Sequence, residues 1–112
     1  MKIMLIGSHA YRNRMEEAAD KLKEEGYEVL IPAFDDHPEW NEYEICMYNL
    51  SLMKEAEEVW IYWDRRSMGT VFDFGMAFAL GKRVYLKYLE PKTMENVMKA
   101  YSYISKHETI KN

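Results

Sequence analysis

The chain has 112 residues, 48% of them hydrophobic, with a formal net charge of −4 and a pI near 5.4. That length suits one domain and is too short for two ordinary ones, so residues 1–112 are read as a single unit. The acidic balance argues against a nucleic-acid polymer as partner, and the lone Cys46 excludes an internal disulfide and a two-cysteine zinc site.

Met1 to Ile6 is an apolar run ending at the turn signal Gly7-Ser8, as in a buried strand. The run lacks a signal-peptide layout and no segment approaches membrane-spanning length, so a cytoplasmic protein with no membrane partner is expected. Tyr11 to Glu25 reads as a helix, with Met15, Ala18, Ala19 and Leu22 forming one apolar stripe and Gly26 as a left-handed stop. Tyr27 to Ile31 is a second strand, ended by Pro32. Ala33 to Trp40 is polar and reads as a loop. Asn41 is placed to cap a helix running to about Glu55, with Ile45, Tyr48 and Leu52 in register and Cys46 as a buried thiol.

Val59 to Trp63 is a third strand, followed by Asp64-Arg65-Arg66-Ser67. A helix is expected after Gly69, through Gly75, Ala77 and Ala79 to about Leu80. Arg83 to Tyr88 is a fourth strand. After Pro91, Thr93 to Ser105 makes a last helix on Met94, Val97, Met98 and Tyr101, and the tail from Lys106 is polar and expected to be loose unless it docks on a partner.

Alternation of strand and helix predicts an α/β fold: a three-layer α/β/α sandwich around a parallel sheet of four or five strands in the order 2-1-3-4. The order reverses between strands 1 and 3, and ligands bind beyond the carboxyl ends of strands at such a point. The loops located there carry Gly7, Ser8, His9 and Tyr11 on one side, and Asp64, Ser67, Met68, Gly69 and Thr70 on the other.

Asp73 stands three residues after Thr70. One reading is a capping box, with Thr70 as N-cap and Asp73 returning to its amide. The other is a carboxylate aimed at a ligand, able to attack a sugar C1′ as retaining glycosidases do. Asn49 lies between Ile45 and Leu52 on an apolar helix face. It either pins a loop or offers hydrogen bonds to a ligand hydroxyl. Ser67 and Gly69 precede a helix N-terminus, where amides suit a phosphate, and Arg65 or Arg66 could add charge beside Arg12 and Arg14. Trp63 and Tyr11 are candidate walls for a base. His9 sits in the first loop, and with His37 and His107 it forms no metal-binding pattern. The dinucleotide and P-loop fingerprints are missing.

Gly69-Thr70-Val71-Phe72-Asp73-Phe74-Gly75, followed by Ala79-Leu80-Gly81-Lys82, resembles the nucleoside 2-deoxyribosyltransferase family and its 2′-deoxynucleoside 5′-phosphate N-hydrolase relatives. The opening strand ending Gly7-Ser8 is similar too. The resemblance implies that Asp73 occupies the place of the family's nucleophilic Glu. It sets Asn49 at the place of a second, substrate-positioning carboxylate, seven residues before Ala56. Ser67 falls on the phosphate-binding Ser of the hydrolase branch. The implied activity is cleavage or transfer at the N-glycosidic bond of a (deoxy)nucleoside or its 5′-monophosphate. No metal or organic cofactor is implied, and a homodimer or larger homo-oligomer is expected. The changes from Glu to Asp73 and from Asp to Asn49 keep open an alternative, a non-catalytic nucleotide-binding or sensing module.

Overall fold

The computed structural model describes residues 1–33 and 37–107. Four strands, β1 (Lys2–Gly7), β2 (Glu28–Leu30), β3 (Glu58–Trp63) and β4 (Arg83–Leu89), alternate with four helices. The helices are α1 (Arg12–Glu24), α2 (Glu42–Glu55), α3 (Met68–Ala79) and α4 (Met94–His107), and a 3-10 turn, His9–Tyr11, leads into α1. The sheet is parallel, in the order β2-β1-β3-β4, as the alternation predicts.

Residues of successive register point to opposite faces of a strand. In β1, Met4 and Ile6 join Val59 and Ile61 of β3 under Met53 of α2 and Ala77 of α3. Ile3 and Leu5 turn the other way, joining Tyr62 under Met15, Ala19 and Leu22 of α1. Each fully buried aliphatic of β1 stabilises the fold by roughly 1.5–3 kcal/mol relative to exposure. This two-sided burial is why β1 reads as a continuous apolar run.

The punctuation follows local chemistry. Gly26 (φ 92°) and Gly81 (φ 68°) adopt the left-handed conformation after α1 and α3. Asn41 caps α2: its side chain accepts from the Glu44 amide at 2.8 Å, and Glu44 accepts from the Asn41 amide at 3.2 Å. The apolar stripe of α4, Met94, Val97, Met98 and Tyr101, is exposed rather than packed on the sheet. The expected tail lies partly outside the described residues, from position 108 onward. No described helix is long and apolar enough to cross a membrane.

Candidate active site

The loops after β1 and β3 are bound to each other. The Ser8 amide donates to the Tyr62 carbonyl at 2.9 Å, and the Ser8 hydroxyl accepts from the Asp64 amide at 2.9 Å. Gly7 is required here: a Cβ would stand 2.9 Å from both Met15 Sδ and Tyr62 Cβ, and would also strike the Tyr62 carbonyl oxygen. Asp64 then folds its own loop. Its Oδ1 accepts from the amides of Arg66 at 2.9 Å and Ser67 at 2.8 Å. Burial pushes the Asp64 carboxyl up, but these amides and the Ser8 hydroxyl outweigh it and hold the group below its usual range.

That loop decides where α3 begins. Ser67, not Thr70, is the N-cap; its side chain accepts from the Thr70 amide at 3.3 Å and from the Thr70 hydroxyl at 3.0 Å. The helix therefore starts at Met68, and its first turn carries no acidic residue. The capping-box reading of Thr70 and Asp73 is overturned, because Asp73 lies a turn too far along. No described residue donates a hydrogen bond to the Asp73 carboxyl, and burial alone pushes its pKa up to about 6. Asp64 and Asp73 are thus shifted in opposite directions, Asp64 by the amides it gathers and Asp73 by burial.

Asn49 is 6% exposed on α2. Its Oδ1 accepts from the Ala33 amide at 2.9 Å, so it does pin the loop after β2. Asn49 also lines the adjacent cavity, and no described residue accepts a hydrogen bond from its Nδ2.

That cavity measures about 300 Å³ and brings together Gly7, His9, Asn49, Ser67, Gly69, Thr70 and Asp73. A larger, more open groove of about 530 Å³ runs along α1 and β4, past Arg14, Lys21, Tyr62 and Lys87. Its carboxylates, Glu17, Asp20 and Glu24, are exposed to solvent, and none of the loop residues at the order reversal lines it, so the smaller cavity is the candidate site.

Five expected site residues do not line it. Ser8 is buried and committed to Asp64, and Asp64 is committed to its loop. Tyr11 turns away to donate to Glu90 at 2.9 Å. Trp63 packs on the α2–α3 core and donates from Nε1 to the Ser67 carbonyl at 3.1 Å. Met68 points outward. Cys46, expected buried, is half-buried and lines the cavity. Pro32, Ala33, Ile45 and Phe72 complete the lining and are the residues sequence reasoning missed. Two signals were available: Ile45 lies one turn before Asn49, and Pro32-Ala33 leave β2 at the same sheet edge as Gly7.

The basic residues are engaged elsewhere. Arg65 donates to the Glu90 carbonyl at 2.6 Å and Arg66 pairs with the Glu90 carboxylate at 3.0 Å. Arg12 pairs with Glu16 at 3.3 Å, and Arg14 lies over the Tyr88 ring. Any anion at this site would therefore meet α3 amides and the Ser67 hydroxyl.

Fold and site together define a parallel α/β protein with a carboxylate-bearing pocket at its topological switch point. The sequence model of the nucleoside 2-deoxyribosyltransferase family matches residues 5–107, and the chain belongs to that family. Among solved structures, a 2-desoxiribosyltransferase from Leishmania mexicana superimposes with a TM-score of 0.64 at 14% identity, covering 96% of this chain and 99% of the other. The Clostridium botulinum CMP N-glycosidase BcmB gives a TM-score of 0.61 at 21% identity, covering 93% and 82%. At these identities the likeness shows the shared fold. Comparison with curated proteins gives no match.

Proposed function

We propose that this chain cleaves or transfers at the N-glycosidic bond of a nucleoside 5′-monophosphate, with Asp73 as nucleophile. The observation that carries the reading is the Asp73 carboxylate, unpartnered among described residues, in one cavity with Asn49, Ser67 and Gly69. Family membership supplies the reaction class. The two solved neighbours, a 2-desoxiribosyltransferase and a CMP N-glycosidase, support the same reading.

With a pKa pushed up to about 6, Asp73 is mostly ionised at neutral pH and more basic than an ordinary aspartate. One oxygen attacks C1′ as the C1′–N bond breaks. The bond pair leaves with the base, which gains a proton, and a glycosyl ester remains on Asp73. Attack at C1′ by water makes the protein a hydrolase; attack by a second base makes it a transferase. Ser67 and the first amides of α3 receive the phosphate end. Gly69 leaves open space there, since a Cβ would meet only Ser67 Oγ, at 3.9 Å.

A homo-oligomer fits the same reading. Tyr43 and Met47 of α2 are exposed beside Phe72, which lines the cavity, and Phe74 is exposed on α3; a second copy would cover them. Light scattering after size exclusion tests this.

The catalytic reading is tested by incubating the protein with nucleosides and nucleoside monophosphates and following free base. Release from a monophosphate, lost in Asp73→Ala, is the expected result. Release that survives Asp73→Ala sinks the mechanism. Thermal stabilisation by a nucleotide without release would mark a sensing module instead.

A further inference from the structure

We infer that the cavity selects a ribo sugar over its 2′-deoxy counterpart, because Asn49 Nδ2 and the Asp73 carboxylate form a donor–acceptor pair that a hydroxyl beside the anomeric carbon satisfies. The inference deepens the proposed function and rests on it.

The Ala33 contact fixes which way the Asn49 amide faces. An N–H donor at 2.9 Å demands the carbonyl oxygen, so Oδ1 points at Ala33 and Nδ2 points away. Nδ2 carries donors only. It belongs to a side chain more than nine-tenths buried, and no described residue accepts from it. Across the same cavity, Asp73 offers acceptors and receives no hydrogen bond from a described residue. When one carboxylate oxygen faces C1′, the other is left beside the neighbouring sugar carbon. A hydroxyl on that carbon accepts from Asn49 and donates to Asp73, satisfying both groups at once. Hydrogen bonds from this hydroxyl also strengthen as positive charge develops on the sugar ring.

A 2′-deoxy sugar puts a C–H at this position. The amide donor and the second carboxylate oxygen then both stay unpaired in a closed complex. Leaving one buried donor unpaired costs enough to lower the rate by about 10-fold or more. The 3′-hydroxyl cannot produce this selectivity, because both sugars have it.

The test compares kcat/KM for base release from a ribonucleoside 5′-monophosphate and its 2′-deoxy form, same base, with the full chain. The ribo substrate should be preferred by at least about 10-fold. Asn49→Asp separates the amide's two jobs: an oxygen still accepts from Ala33, while the donor into the cavity is gone. In that variant the ratio should fall to within about 3-fold, with an unchanged far-UV spectrum and cooperative melting showing an intact fold. A wild-type preference for the deoxy substrate, or a ratio untouched by Asn49→Asp, overturns the inference. Should neither substrate release base, the proposed function fails, and calorimetric binding of the same two monophosphates decides the inference. Ribo binding tighter by about 10-fold, lost in Asn49→Asp, sustains it; equal binding or none at all overturns it.

Discussion

The Ser8 hydroxyl accepts from the Asp64 amide at 2.9 Å, tying together two loops 56 residues apart in the chain. Through this bond the end of β1 sets the turn that launches α3, and so the height at which Asp73 enters the cavity. Ser8 is 1% exposed. Ser8→Ala leaves a part-buried amide without its acceptor and should cost about 1–3 kcal/mol in chemical denaturation. Base release should fall with it, although Ser8 does not line the cavity.

Gly7→Ala tests the closeness of β1 to β3. The added Cβ would press on Met15 Sδ and Tyr62 Cβ at 2.9 Å, and on the Tyr62 carbonyl, which is backbone held in the sheet and cannot yield cheaply. Destabilisation of about 1–3 kcal/mol or more is expected as a lowered melting temperature.

Asp73 should make stability fall as pH rises. Burial puts its folded pKa at about 6, above the unfolded value of 3.8, so the folded state holds its proton more tightly than the unfolded chain. The ionisation penalty is absent below pH 3.8, grows between there and pH 6, and is complete above. Asp73→Asn removes the penalty and should stabilise the protein at pH 8 by on the order of 2 kcal/mol, with little effect at pH 4. Denaturation of both proteins at the two pH values checks it; equal shifts at both would refute the linkage.

The same ionisation should appear in kinetics with the opposite sense. A nucleophilic Asp73 must be deprotonated, so kcat/KM should rise by roughly tenfold per pH unit below about 6 and level off above it. A profile flat from pH 5 to pH 8, roughly the span that brackets this ionisation, would remove Asp73 from the nucleophilic role.

Ser67 has a cap to hold and a phosphate to meet. Ser67→Ala should cost about 1 kcal/mol of stability through the lost N-cap. On the proposed reading it also raises KM for a nucleoside monophosphate by about 10-fold, while leaving that for the free nucleoside unchanged. Parallel changes for both substrates would restrict Ser67 to the cap.

The order of elements was legible because each has its own signal: an alternating or continuous apolar run for β1 and β3, a stripe through Met15, Ala19 and Leu22 for α1, Asn41 as the start sign of α2 and Gly26 as the stop sign after α1. The site was legible in part. Asp73, Asn49, Ser67 and Gly69 do share one cavity. Tyr11 and Trp63 were misread as pocket walls because neighbours along the chain do not reveal which way a ring turns. Tyr11 is drawn off by Glu90, 79 residues away, and Trp63 by the α2–α3 core. Thr70 was misread as the cap because Asp64, by gathering the Arg66 and Ser67 amides, starts the helix earlier.

By itself the sequence determined the elements, their order across the sheet and the family, since periodicity and short motifs are local and survive without neighbours. Only the tertiary structure decided what the polar residues do. Serine, asparagine and aspartate can each serve a backbone amide or a ligand, and the choice depends on which amide the fold brings within reach. Ser8 and Asp64 are spent on backbone, Asn49 is divided between Ala33 and the cavity, and Asp73, given no described partner, is left facing the cavity.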